Sequence, residues 1–299
     1  AEYLTDLANK SDEEQASIIR EVENTSHLLD LFDEVINQIE APSVVSVGLH
    51  ILKRLDEHND SISADSELIR KTKAVFRRCM HASVRLQSDV TLINSLLSYS
   101  IGSYLDVNKP HFSGFRDSHL AFLSDIQLAI HFGHKELVEI LIQHGANVDQ
   151  YNYHKITPLI MAVINAHKEV VELLINQGAV IDHVARDGET ALIKAAHVRQ
   201  KEIIELLIER GANVDGVGDW HNPLYVMAAL GHEEIVDLLI KRGAKVDKPS
   251  YNTLQRTPLM AASIVGHKVI AELLLKNGAN VNKPKWDGIT PIYLAASSG

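Results

Sequence analysis

A single cysteine, Cys79, stands in 299 residues. No disulfide can close within the chain, and no set of thiolates can hold zinc. The scarcity fits a reducing setting, cytoplasmic or nuclear. Aromatic side chains make up only 5% of the residues, so each one outside a core is informative. No apolar run approaches the ~20 residues needed to cross a bilayer, and no membrane span is expected. Missing too are the H-E-x-x-H pair, the P-loop, a G-x-G-x-x-G after a strand and the G-x-S-x-G elbow. Sixteen histidines do not fill the gap. His131 and His134 have H-x-x-H spacing, but no neighbouring Cys, Asp or Glu completes a tetrahedral set. Cys79 sits on an apolar helix face with no helix start to activate it. The sequence therefore predicts no catalytic residue, no cofactor-binding residue and no metal ligand, and the segment is not expected to be an enzyme.

Charge of one sign is in excess but not evenly so. The formal net charge is −10. Residues 1–65 hold 4 basic and 15 acidic side chains, whereas residues 66–86 hold 6 basic and 1 acidic. The basic cluster (Arg70, Lys71, Lys73, Arg77, Arg78 and Arg85) lies on one helix between acidic neighbours, with no Tyr or Trp beside it. A nucleic-acid surface needs a broad basic face and, for single strands, stacking rings. A solvated helix face is the expectation, and no nucleic-acid partner is predicted.

What the chain does have is a period. The pair Gly-Ala recurs at Gly145, Gly178, Gly211, Gly243 and Gly278, in steps of 33, 33, 32 and 35. Thr157-Pro158-Leu159, Thr190-Ala191-Leu192, Asn222-Pro223-Leu224, Thr257-Pro258-Leu259 and Thr290-Pro291-Ile292 keep the same beat. So do Gly133-His134, Gly231-His232 and Gly266-His267, with Ala166-His167 in phase. Within one copy, Thr157 predicts a helix cap and Pro158 fits the first turn. A short apolar helix over 159–165 then precedes a chain reversal at Ala166-His167. A second helix carries Val170, Val171, Leu173, Leu174 and Ile175 as one stripe. Gly178 ends it, and the polar stretch 180–189, with Asp187-Gly188, predicts a hairpin-like tip. A helix pair of this kind cannot bury its apolar faces alone and must stack on its neighbours.

This pattern resembles the ankyrin repeat, with its 33-residue period and T-P-L-H-x-A core. The resemblance covers roughly 124–299 and implies an all-α fold, an ankyrin-repeat solenoid of helix-turn-helix units and tips; the residues before it are expected to cap that solenoid as an N-terminal helical bundle. The His of T-P-L-H is replaced in every copy, by Gln127, Ile160, Ile193, Tyr225, Met260 and Tyr293. Arg199-Gln200 replaces Gly-His, so that turn must form without glycine. The recurring His134, His167, His232 and His267 occupy one repeat position, which predicts a folding role.

Residues 1–86 lack the beat and are expected to be a helical domain. Ser11-x-x-Glu14 is a capping box. Amphipathic stripes follow through Leu28 to Ile39, Val44 to Leu55 and Leu68 to Met80. Residues 87–123 predict a degenerate repeat half and a long connecting loop. Residues 124–299 are the repeat domain, with the last copy truncated. Because the chain starts at Ala1 and stops at Gly299 inside a repeat, it is expected to be a piece of a longer protein.

The binding residues are predicted from the tips. Of ten Tyr and Trp residues, five fall there: Tyr151, Tyr153, Trp220, Tyr251 and Trp286. Tyr, Trp and Arg dominate interface hot spots, and Arg186 lies among these rings. Tyr225 and Tyr293, at the vacated His position, are expected to face the concave side. Asn165, His197, Val198, Leu230, Ile264 and Val265 lie near the inner-helix ends and extend the same surface. The resemblance implies a protein–protein interaction module, acting as a monomer, that binds a protein or peptide partner through tips and concave face. An alternative is the substrate-targeting portion of a larger enzyme system. That would be a ubiquitin-ligase receptor, or a secreted bacterial effector working in host cytoplasm, with its catalytic region outside this segment.

Overall fold

The computed structural model describes residues 10–20, 124–218, 221–250 and 255–298. The chain divides into two units, 1–147 and 148–299.

In the first unit, α1 spans Asp12–Arg20. The expected capping box starts it. The Ser11 N–H donates to Glu14 Oε2 at 3.1 Å, and the Glu14 N–H donates back to Ser11 Oγ at 3.4 Å. The Ser11 N–H, and then the Ser11 hydroxyl, donating to the carboxylate hold the Glu14 carboxyl below its ordinary pKa. The remaining stripes predicted over residues 28–80, the repeat half over 87–123 and Cys79 lie outside the described residues. The unit closes with the helix pair α2 (Asp125–His131) and α3 (Lys135–Gln143). The Ser124 N–H donates to the Gln127 side chain at 3.2 Å, so the residue replacing the repeat's His here caps its own helix.

The second unit repeats that pair four times and adds a final helix. The inner helices are α4 (Pro158–Ile164), α6 (Ala191–His197), α8 (Pro223–Leu230), α10 (Pro258–Val265) and α12 (Pro291–Ser298). The outer helices are α5 (Lys168–Asn176), α7 (Lys201–Glu209), α9 (Glu233–Lys241) and α11 (Lys268–Lys276). Each inner helix packs on its own outer helix and on the next inner one. Leu159, Ile160, Leu192, Ile193, Leu224 and Met227 fill the resulting core, as do Val171, Leu174, Ile204 and Val236 from the outer helices; all are buried. Burying one such side chain contributes about 1.5–3 kcal/mol. No copy could gather that sum without its neighbours.

Starts follow the predicted chemistry. Thr157 and Thr257 accept from the N–H three residues on, and Asn222 accepts from Leu224 and Tyr225. The reversal between inner and outer helix needs one left-handed residue. Gly231 and Gly266 supply it at φ 77° and 80°, whereas Ala166 and Arg199 adopt φ 63° and 56°. The expected glycine-free turn at Arg199 does form, in a backbone region that disfavours a Cβ.

Three of the tips are tight turns closed by backbone bonds. Ala185 N–H donates to Glu189 O at 2.9 Å, and Gly188 N–H to Ala185 O at 3.0 Å. The same pair of bonds recurs at Lys285/Ile289 and Gly288/Lys285, and at Asn152/Ile156 and Lys155/Asn152. Among the described residues the tips form no named strand, only the isolated bridge Ser250–Arg256.

Candidate interaction surface

Successive tips of the second unit are tied together by one recurring bond. Asp149 accepts from the Val180 N–H at 2.9 Å, Asp182 from Asn213 at 3.1 Å, Asp215 from Lys245 at 2.8 Å and Asp247 from Asn280 at 3.1 Å. A carboxylate four residues past the glycine, in four of the five Gly-Ala copies, thus holds the base of the next tip. Side chains near the apex add to the ladder. His183 Nε2 donates to Lys155 O at 3.1 Å, His221 Nε2 to Asp187 O at 3.0 Å, and the Arg186 N–H to His154 O at 3.0 Å. The tips therefore present their outer residues at defined positions.

Tyr151 stacks on His183 of the next tip, ring centroids 5.6 Å apart. The Arg186 guanidinium lies over the Tyr153 ring, 4.7 Å from its centroid. Neither contact buries the ring: Tyr151 remains 55% exposed and Tyr153 77%. Trp286, at the equivalent apex position, is 67% exposed, with Lys285 Nζ 5.9 Å from its centroid. Lys285 itself is buried and pairs with Asp287, whose carboxyl it holds below the ordinary range. Trp220 and Tyr251 lie outside the described residues.

Tyr225 departs from the expectation. It is 9% exposed and belongs to the core of α8. Its counterparts Ile160, Ile193 and Met260 are apolar and buried, so the third position of an inner helix points inward here whatever residue it carries. Tyr293 shares the position but is exposed, because no described helix covers that side of α12.

One feature of the inner helices, and one member of another, escaped the sequence reading. Lys194 stands in an otherwise apolar helix and pairs with Asp187 and with Glu189, the latter at 2.8 Å; Glu189 also meets His197 Nε2 at 2.9 Å. Burial alone would lower the Lys194 pKa, but the bonds it donates to both carboxylates, with their charge, outweigh it and hold the ammonium above its usual value. Asp187 is the mirror case: burial pulls upward, and the bonds from Lys194 and the Glu189 N–H together pull it below its ordinary value. A lone charge in an apolar run was the available signal, since it needs a partner. The second feature is an apolar row. Val198, Leu230 and Val265 were named from the sequence and are indeed exposed, and Ile164 joins them. Ile164 ends the run PLIMAVI, which gave no sign of where the core stops.

At the inter-helix turns, His267 Nε2 donates to Ala229 O of the preceding repeat at 3.3 Å, a packing role of the kind expected. His232 is held below the usual histidine range by burial first, and then by the positive groups Arg199, His197 and His267.

A family model described as ankyrin repeats matches three times, over residues 80–185, 178–250 and 224–299. The solved ankyrin repeat domain of Bcl-3, described as a unique member of the IkappaB protein family, is similar with a TM-score of 0.63 and 22% identity, covering 72% of this chain and 92% of that one. The human ASB11 ankyrin repeat domain is similar with a TM-score of 0.54 and 24% identity, covering 72% of this chain and 90% of that one. At these identities the likeness is one of fold. No curated protein sequence matches the chain.

Proposed function

The chain belongs to the ankyrin-repeat family, and from that membership we propose that residues 148–299 hold a protein or peptide partner between their tips and their inner-helix face. Ankyrin repeats are generally protein–protein interaction modules and generally non-catalytic. The proposal gives this segment a binding role, exercised as a monomer in a cytoplasmic setting. The observation that carries it is the pair Tyr153 and Trp286. Both occupy the apex of a tip braced by backbone bonds, and both keep most of their ring surface in solvent. A large ring on a surface turn adds little to a core. The same ring on a fixed turn is a low-entropy anchor for another molecule. Arg186, stacked on Tyr153, adds a cation for a carboxylate or carbonyl group. Tyr151 extends the patch, and Trp220 and Tyr251 are proposed members of it from their places in the sequence. Residues 1–86 are proposed as a helical cap.

No helix among the described residues is long and apolar enough to cross a membrane, and no group of three metal-ligating side chains occurs among them.

The test is affinity capture with the full chain beside a Tyr153→Ala/Trp286→Ala variant, followed by titration of each captured protein in purified form. At least tenfold weaker binding by the variant, with an unchanged circular dichroism spectrum, is expected. Equal affinity for every captured protein refutes the anchor role.

A further inference from the structure

Resting on the interaction reading above, we propose that the inner-helix face of residues 148–299 docks one acidic amphipathic α-helix whose apolar side chains recur about every seventh residue. The register comes from the apolar row. Val198, Leu230 and Val265 hold one repeat position at the distal ends of three consecutive inner helices, and Ile164 lies one position earlier in the copy before them, where Asn165 is the aligned residue; each of the four apolar residues is between 42% and 55% exposed. Those helices pack directly on one another, which sets their spacing near 8–10 Å. Seven residues of an α-helix rise about 10.5 Å, so one side chain per two turns meets one row member per repeat. An extended strand returns to the same face every ~6.6 Å and so misses the neighbouring row member. Width agrees. The inner helices run seven to eight residues from tip to turn, roughly 10–12 Å, the diameter of one helix with its side chains.

The sign of the charge comes from what is left unmatched. Asp149, Asp182, Asp215 and Asp247 are committed to backbone N–H groups of the next repeat. Lys194 pairs with Asp187 and Glu189 and offsets one of their two charges. Cations stand at both ends of the inner helices and meet no carboxylate among the described residues, among them Lys155 and Arg186 at the tips and Arg199 at a turn. The opposite side of the unit is acidic, since its four outer helices carry five basic and nine acidic residues. A cationic rim around an apolar row selects an acidic partner and repels a basic one.

The experiment is fluorescence anisotropy with the full 299-residue chain and three labelled synthetic peptides. One is a glutamate-rich helix with leucine at every seventh position. The second replaces each glutamate by lysine. The third has the first peptide's composition, with its leucines moved out of that register. The glutamate helix is expected to bind at least tenfold more tightly than either control, and to weaken as salt rises. Val198→Ser with Leu230→Ser is expected to lower that affinity at least tenfold with helix content unchanged, and Arg186→Glu with Arg199→Glu to shift preference toward the lysine peptide. Equal binding of the lysine or out-of-register peptide, or no binding of any, overturns the proposal. If captured proteins still depend on Tyr153 and Trp286 while the glutamate helix fails, only the helix is lost. If captured proteins ignore the tips and the row alike, the interaction reading falls with it.

Discussion

Ala166 and Arg199 stand where other copies of the repeat place glycine, and both take a left-handed backbone, φ 63° and 56°. A side chain there costs roughly 1–2 kcal/mol, while glycine adds about 0.5–1 kcal/mol of unfolded-chain entropy. Ala166→Gly and Arg199→Gly are each expected to stabilise the protein by up to about 1 kcal/mol, read as a higher urea midpoint at constant slope. Destabilisation by both would show that the turn is held by contacts to those side chains. His232 makes a second prediction at this scale. Its pKa in the folded protein lies below the ordinary 6.5, chiefly through burial and then through Arg199, His197 and His267. The unfolded chain therefore takes up the proton first. The stability His232 contributes is complete above about pH 6.5 and is lost as pH falls through it. Urea midpoints are expected to drop between about pH 7.5 and about pH 5.5, and to drop less in His232→Gln, which installs the residue that Gln200 supplies at the same position. Identical drops in both proteins would exclude His232 as the source.

At the scale of the element, the tips are held by carboxylates rather than by strands. Asp182 accepts from the Asn213 N–H with both oxygens, at 3.1 and 3.2 Å. Asp182→Ala is expected to cost about 1 kcal/mol. Asp182→Asn should keep most of it, because its amide oxygen still accepts. Thermal melts of the two variants check this, and equal losses would show that charge rather than the acceptor matters. The sequence already contained this rung in part, as a recurring Asp four residues past Gly-Ala, but its partner one repeat away was invisible without the stack. The helices themselves were legible, because cap, period and terminating glycine agreed in each copy. Tyr225 was misplaced for a definite reason. It was compared with the missing His of the family motif and not with Ile160, Ile193 and Met260, its buried equivalents in this chain. Ile164 and Lys194 were missed for the opposite reason: composition alone does not reveal where an inner helix leaves the core, nor that a tip carboxylate meets an ammonium seven residues further along the chain.

At the scale of the whole molecule, stability in residues 148–299 is a sum over neighbours, and each repeat's worth depends on what covers it. Leu192 and Ile292 hold the same position in their copies. Leu192 in α6 is 1% exposed, packed between α4 and α8, while Ile292 in α12 is 66% exposed. Leu192→Ala is expected to cost about 2–5 kcal/mol, and because it weakens interfaces on two sides it should also broaden the unfolding transition as the stack separates. Ile292→Ala should fall within about 0.5 kcal/mol of the parent. Hydrogen exchange gives the companion measurement: amides of α6 and α8 are expected to exchange only with unfolding of the stack, and those of α12 far sooner, through local opening. Equal losses from the two substitutions, or equal protection of α6 and α12, would mean that the unit unfolds as one block in which neighbour contacts do not set local stability. In that case a partner seated on the inner face would stabilise every repeat alike rather than those it touches.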